Sequence, residues 1–253
     1  MPTPSLNCRR TCPLDSILLD FIDERRQRAH DGIPMELVVG PPHPSVRSLL
    51  NPTVARYSHP LSRVLTDVLK AFPDLSGLPE RVATLYTMFS LLRWQIDPTP
   101  ENFERVPEYM LPCGSQLTVP HPAWIDHVPF PHLRQRIIAE GVALTERHRD
   151  GGGVVEPGTF IERYPLDDFF VPYTQTVCVN WPYADTDCLL QSPLSEDVLI
   201  NPVFMSHIKN RDIWTLGERF RAAMPDFDAS YNLRRNDGSI LSVAQWEVGR
   251  ELS

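Results

Sequence analysis

Apolar residues recur at helical spacing in several separate stretches of the chain. Leu14, Ile17, Leu18, Phe21 and Ile22 fall at i, i+3, i+4, i+7 and i+8, the stripe of an amphipathic helix. Asp15, Asp20, Asp23 and Arg26 are assigned to its opposite face, and Gly32 stands where a C-terminal stop belongs. The spacing returns at Leu61, Val64, Leu65, Val68, Leu69 and Phe72, with Pro60 in the first turn and Pro73 as terminator. From Pro79 to Ile96 apolar residues cover most of the circumference, which predicts a helix at the centre of the core. Thr99, Pro100 and Glu101 form the start signal of a short helix, and Leu133, Ile137, Ile138 and Val142 predict another over 132–148.

The remaining segments carry weaker patterns. Residues 33–58, with Pro34, Pro41, Pro42, Pro44 and Pro52, read as an extended connector, and 111–131 reads as irregular. Gly151, Gly152 and Gly153 form a hinge without the Gly-Lys-Ser/Thr of a phosphate loop. The β-branched content of Thr174–Val179 predicts a short strand, and Leu194–His207 and Leu216–Met224 read as helices. The expected fold is mainly α, an irregular multi-helix bundle with connectors rich in proline and aromatics and one or two short strands. A flexible tail (1–12), a single helical domain (13–227) and a loosely packed C-terminal tail (228–253) complete the expected organisation.

Charge narrows the functional classes. Lys+Arg 24 against Asp+Glu 32 leaves a net charge of -8, which excludes a uniformly basic nucleic-acid surface. No apolar run approaches the roughly eighteen residues of a membrane span. The polar start MPTPSLNCRRTC lacks a secretory signal, so the chain is expected in the nucleus or cytoplasm and not to be secreted. Cys8, Cys12, Cys113, Cys178 and Cys188 are odd in number and scattered, which suits reduced thiols better than a disulfide framework. The 26 prolines lie between apolar segments and serve as helix starts and rigid connectors. Only Lys70 and Lys209 are lysines, so lysine chemistry has two candidates.

The densest polar cluster is His121, Asp126, His127 and His132, within LPCGSQLTVPHPAWIDHVPFPHLR. Histidine titrates near neutral pH, so His121, Asp126 and His127 are the candidates for acid–base catalysis. Asp126 and His127 are adjacent, and an extended chain turns neighbours to opposite sides, so Asp126 is expected to orient a different histidine. The spacing matches no common zinc pattern, and no metal or cofactor is expected. There is no Gly-x-Ser-x-Gly nucleophile elbow. Trp94, Trp124, Trp181, Trp214 and Trp246 are read as packing anchors beside proline-rich connectors. The functional alternative is an aromatic-walled contact site, for which Trp124, Trp181 and Tyr183 are the candidates.

Several motifs occur in an order that resembles one family. They are Leu78-Pro-Glu-Arg-Val-Ala-Thr-Leu-Tyr-Thr-Met-Phe, Arg93-Trp-Gln-Ile-Asp-Pro-Thr-Pro-Glu-Asn-Phe-Glu-Arg and Gln116-Leu-Thr-Val-Pro-His-Pro-Ala-Trp-Ile-Asp, followed by Asn180-Trp-Pro-Tyr, Asn201-Pro-Val-Phe and Trp214-Thr-Leu-Gly. From about Pro13 to Pro225 the chain is similar to the fungal domain of unknown function DUF3425, found C-terminal to a basic leucine zipper in transcription factors. Phe130 stands where such sequences often carry tryptophan, a departure that keeps the bulk.

The resemblance implies a regulatory role and no catalytic residues. The basic arm and zipper are not found in residues 1–30, where Arg9, Arg10, Arg25, Arg26 and Arg28 are interspersed with Asp15, Asp20, Asp23 and Glu24. Stepping by sevens from Leu14 gives Phe21 and then Arg28, so no heptad exists. Direct sequence-specific DNA binding is therefore not expected. Two readings follow. In one, the chain binds a partner protein (a transcription factor, for example) or a small metabolite and regulates secondary-metabolite genes, with Leu14, Leu18, Phe21, Trp124, Trp181 and Tyr183 as contacts. In the other, it is a fungal secondary-metabolite biosynthesis enzyme using His121, Asp126 and His127 for acid–base or metal chemistry.

Overall fold

The computed structural model describes residues 3–51, 58–156, 159–192 and 198–245. The fold is mainly α. Its helices are α1 (Pro13–His30), α2 (Met35–Val39), α3 (Arg47–Leu50), α4 (Pro60–Lys70), α5 (Leu78–Ile96), α6 (Pro100–Arg105), α7 (Gly114–Thr118), α8 (Pro131–Asp150), α9 (Leu166–Thr176), α10 (Pro202–Ile208) and α11 (Glu218–Ala223). Short strands are β1 (Leu189–Gln191), β2 (Val198–Ile200), β3 (Leu216–Gly217), β4 (Leu233–Arg234) and β5 (Ile240–Leu241). Trp246, the end of the expected tail (246–253), Pro52 and the first residues of the expected helix at Leu194 lie outside the described residues.

The chain divides into two compact units built from alternating segments. The first comprises residues 1–21, 109–176 and 215–253, and the second 22–108 and 177–214. Helix α1 contributes its first half to one unit and its second half to the other. It ends where Gly32 takes φ 82, with Ile33 N bonded to Arg28 O at 3.1 Å.

In the second unit α5 is the central helix. Residues from Val82 to Ile96 are buried on every side of it, and α4 packs along it. Thr99 caps α6 by accepting from Asn102 N at 3.3 Å, and Phe103 on α6 meets Trp94 edge-on at 5.6 Å between centroids. The expected connector 33–58 contains α2 and α3, single-turn helices that a proline count does not reveal. Strands β1 and β2 form an antiparallel ribbon with Leu190 opposite Leu199. The expected helix Leu194–His207 is thus strand β2 followed by α10, and Asn201 starts the helix by accepting from Val203 N at 2.9 Å.

In the first unit α8 packs on α7, and α9 packs on α11. The strand expected at Thr174–Val179 is not formed, because Thr174 and Thr176 end α9. Their hydroxyls donate to the Phe170 and Pro172 carbonyls at 2.8 Å, an i−4 bond that lets threonine sit in a helix. The segment Leu216–Met224 is split, with β3 pairing parallel to β4 before α11 begins. β5 pairs antiparallel to β4. Tyr231 and Leu233, from the expected C-terminal tail, are core residues of this unit.

Candidate functional site

The histidine cluster is closed. Residues 6–8 lie beside 116–121, with Leu6 N donating to Gln116 O at 2.8 Å and Cys8 N to His121 O at 2.9 Å. His121 is 0% exposed. Its Nε2 lies 2.9 Å from Asp126 Oδ1, and its Nδ1 lies 2.7 Å from the Val119 carbonyl. Both neighbours are acceptors, so both ring nitrogens must donate, and the side chain is an imidazolium. Burial alone lowers the pKa of His121, but the Asp126 hydrogen bond and charge, with the Val119 carbonyl, outweigh it and hold the pKa above its ordinary value.

Asp126 is equally well provided for. Its Oδ1 also accepts from Gln116 Nε2, and its Oδ2 accepts from Asn7 Nδ2 at 3.0 Å. Burial raises its pKa, and the partners, His121 first, outweigh that and hold it below the usual carboxylate value. Gln116 Oε1 in turn accepts from Arg134 Nε at 2.9 Å. The buried guanidinium reaches the Val128 and Leu111 carbonyls with its other nitrogens, both at 2.9 Å. A general base needs a free lone pair within reach of substrate. His121 has none, and Asp126 is 2% exposed with both oxygens engaged. The arrangement holds shape; it does not present a proton acceptor.

His127 is a separate case. It is half-buried, and its Nδ1 has no partner among the described residues. Burial pushes its pKa down to about 4, so it is neutral near pH 7. Asp126 acts on it through charge, while the hydrogen bond goes to His121. His132 is exposed on the first turn of α8. Burial raises the Cys8 thiol to about 12 and the Cys188 thiol to about 11, which removes both as nucleophiles. Among the described residues no group of three or more His, Cys, Asp or Glu side chains converges as a metal site.

The expected contact residues divide sharply. Leu14 and Leu18 are buried, 9% and 1% exposed, so they belong to the core and offer no partner surface. Phe21 is half-buried. Trp124 is 4% exposed and fixed at both ends. Its backbone N–H donates to Asp15 Oδ1 at 3.0 Å and its Nε1 to Glu162 Oε1 at 3.2 Å, while its ring meets Phe169 and Phe170. It is a packing anchor. Asp15, placed on the polar face by the sequence pattern, is fully buried and also accepts from the Thr11 hydroxyl at 2.7 Å. The signal for it was present: Asp15, Leu18 and Ile22 share the i, i+3, i+7 stripe.

Trp181 and Tyr183 remain at the surface. Asn180 adopts φ 44, a left-handed conformation asparagine tolerates, and its Nδ2 donates to Ile213 O at 2.6 Å. That turn presents Trp181, whose ring packs edge-on against Phe204 at 4.9 Å and His207 at 5.1 Å. Tyr183 leans edge-on against Trp181 at 4.9 Å and is 60% exposed. An aromatic pair held from below and open above is suited to non-covalent contact.

Together these features define a mainly helical chain with a closed polar cluster in one unit and a surface aromatic pair in the other. Residues 89–234 match the family model described as domain of unknown function (DUF3425), more than half of the chain, and the chain belongs to that family. The match takes in the motifs beginning at Arg93, Gln116, Asn180, Asn201 and Trp214, whereas the stretch from Leu78 precedes it but for Phe89. No curated protein and no solved structure matches the chain significantly.

Proposed function

We propose that this chain is a regulatory domain of the kind that accompanies basic leucine zippers in fungal transcription factors. In this reading it resides in the nucleus, binds a partner protein or a small metabolite, and regulates secondary-metabolite genes without gripping DNA itself. Membership of the family over residues 89–234 is the observation that carries the reading. The charges of the N-terminal region support the last part. Arg9 pairs with Glu156 at 2.8 Å, Arg10 with Asp20, and Arg25 and Arg28 with Glu24, while Arg26 Nη2 donates to Gln95 O at 2.8 Å. Cations engaged in this way do not form a basic rod for a phosphate backbone. The Trp181–Tyr183 pair is the proposed contact.

The test is deletion of the gene, complemented by the wild type or by a Trp181→Ala/Tyr183→Ala double variant, with transcripts and localisation followed. Nuclear accumulation, and altered transcripts that the wild type but not the double variant restores, are expected. Diffuse cytosolic protein with unchanged transcripts on deletion would remove the reading. Tight, salt-sensitive binding of the pure protein to a DNA duplex would overturn the statement about DNA.

A further inference from the structure

A cleft of about 400 Å³ opens in the second unit, and none of its lining residues belongs to the histidine cluster. Its floor is Tyr86 of α5, and its walls are the connector at His43, the outer side of α6 with Glu101, Glu104 and Arg105, and α10 with Met205 and Lys209. Tyr86 is 4% exposed, yet its hydroxyl has no hydrogen-bond partner among the described residues. The hydroxyl is not itself sealed from the cleft, so it is free to bond a ligand atom there.

Two of the walls, the connector and α6, are held in place by one side chain. Arg93 of α5 donates from Nη1 to the Val39 and Pro41 carbonyls at 3.0 and 2.9 Å, fixing the connector just before His43. Its Nε donates to Asn102 Oδ1 on α6 at 2.8 Å, and Asn102 Nδ2 donates to the Asp97 carbonyl at 2.8 Å. On the opposite wall Phe204 and Ile208 are fully buried, and His207 Nε2 lies 2.8 Å from Val179 O, which anchors α10. A cleft built this way needs little ordering to receive a ligand.

Charge in the cleft is uneven. Burial first, then Arg105, Lys209 and Arg93, depress the pKa of His43, and no acid acts against them. Arg105 and Lys209 are thus grouped around His43, within a lining that also holds Glu101 and Glu104. Arg105 is half-committed to Glu101 at 3.1 Å, whereas Lys209 has no ion pair among the described residues. Glu101 and Glu104 on the same wall disfavour a polyanion, and the Tyr86 ring with Met205 offers apolar surface.

We propose that this cleft binds a small organic monoacid, its carboxylate seated at Lys209, Arg105, His43 and the Tyr86 hydroxyl, and its apolar body against the Tyr86 ring and Met205. As a statement of ligand class this deepens, and rests on, the small-metabolite branch of the function above. Binding is nevertheless measured without reference to transcription. The whole protein is titrated calorimetrically with 3-phenylpropionate and hexanoate, and with phenethylamine and hexylamine as cations of matching body.

The acids bind saturably and the amines do not. Lys209→Gln weakens acid binding about tenfold, the effect of about 1.4 kcal/mol from one charged contact. Tyr86→Phe weakens it several-fold while leaving the urea midpoint unchanged, because the hydroxyl has no internal bond to lose. Failure of both acids to bind, equal binding by acid and amine, or affinities indifferent to both substitutions would overturn the assignment. Acid binding with unchanged transcripts on gene deletion would retain the site and remove the regulatory reading.

Discussion

His121 and Asp126 are five residues apart, and each meets the charged form of the other: the carboxylate accepts from an imidazole that also donates to the Val119 carbonyl. The pair joins three segments, since Asn7 holds the second carboxylate oxygen and Gln116 links the first to Arg134. Removing one partner from a buried ion pair leaves an uncompensated charge, which costs about 3–5 kcal/mol. Asp126→Asn and His121→Gln are each expected to lose stability in that range, read from urea unfolding. An unchanged midpoint would mean that the pair does not carry stability.

Stability should depend on pH on both flanks. His121 has a folded pKa raised above 6.5, so its contribution is complete below 6.5 and is lost as pH rises through the folded value. Asp126 is lowered from 3.8, so its contribution is present above 3.8 and lost as pH falls through its folded value. His127 is lowered from 6.5 to about 4, so its contribution is complete above 6.5 and falls away as pH drops toward 4. His127→Gln is therefore expected to flatten the urea midpoint between pH 6.5 and 4 while leaving the alkaline limb intact.

Gly141 sits inside α8, where alanine would ordinarily gain about 1 kcal/mol. A β-carbon there would overlap the ring of Phe160, which is 8% exposed, and the next residue is tied back to α8 by Ile161 N donating to Thr145 Oγ1 at 3.2 Å. Overpacking wins. Gly141→Ala should lower stability by about 1–3 kcal/mol, and Phe160→Leu in the same protein should recover part of the loss in thermal unfolding.

The hydroxyl of Tyr231 is buried without a partner among the described residues, while its ring packs on Phe220 at 5.2 Å and Phe130 at 6.3 Å. Tyr231→Phe keeps the ring contacts and removes an unmet polar group. A gain of about 1 kcal/mol in chemical denaturation is expected, and a loss would mean the hydroxyl has a bonding role.

The elements legible in the sequence were those with a long apolar stripe and a chemical start. Pro60, Pro79 and Thr99 lie in or cap the first turns of α4, α5 and α6, and Pro131 opens α8. Helix α9 was hidden because Thr174 and Thr176 are β-branched, although Phe169, Phe170 and Tyr173 already repeat at three and four residues. Strands of two or three residues such as β3 and β4 have too little pattern to announce themselves, and their pairing comes from residues far apart in sequence.

Of the site, the chemical cluster at 121–127 was visible but its role was not. The partners that close it, Asn7 and the Val119 carbonyl, arrive through tertiary pairing and a backbone turn. Asp126 orients His121, a histidine of its own loop, and does so from a 3-10 turn (Ala123–His127) where the alternation expected of an extended chain does not apply. The cleft at Tyr86 had no local signature, because His43, Arg105 and Lys209 come from three separate stretches.

The alternation of segments between the two units governs how synthesis and folding can be coordinated. Residues 22–108 emerge early but lack 177–214, and residues 109–176 must wait for 215–245 to supply β3, α11 and β4. A ribosome that normally releases one finished domain before starting the next would here hold two unfinished halves until the stretch 215–245 has been made. Exposed apolar surface during that interval would make the nascent protein a strong client of chaperones, and any fragment cut at residue 89 would sever α5 midway.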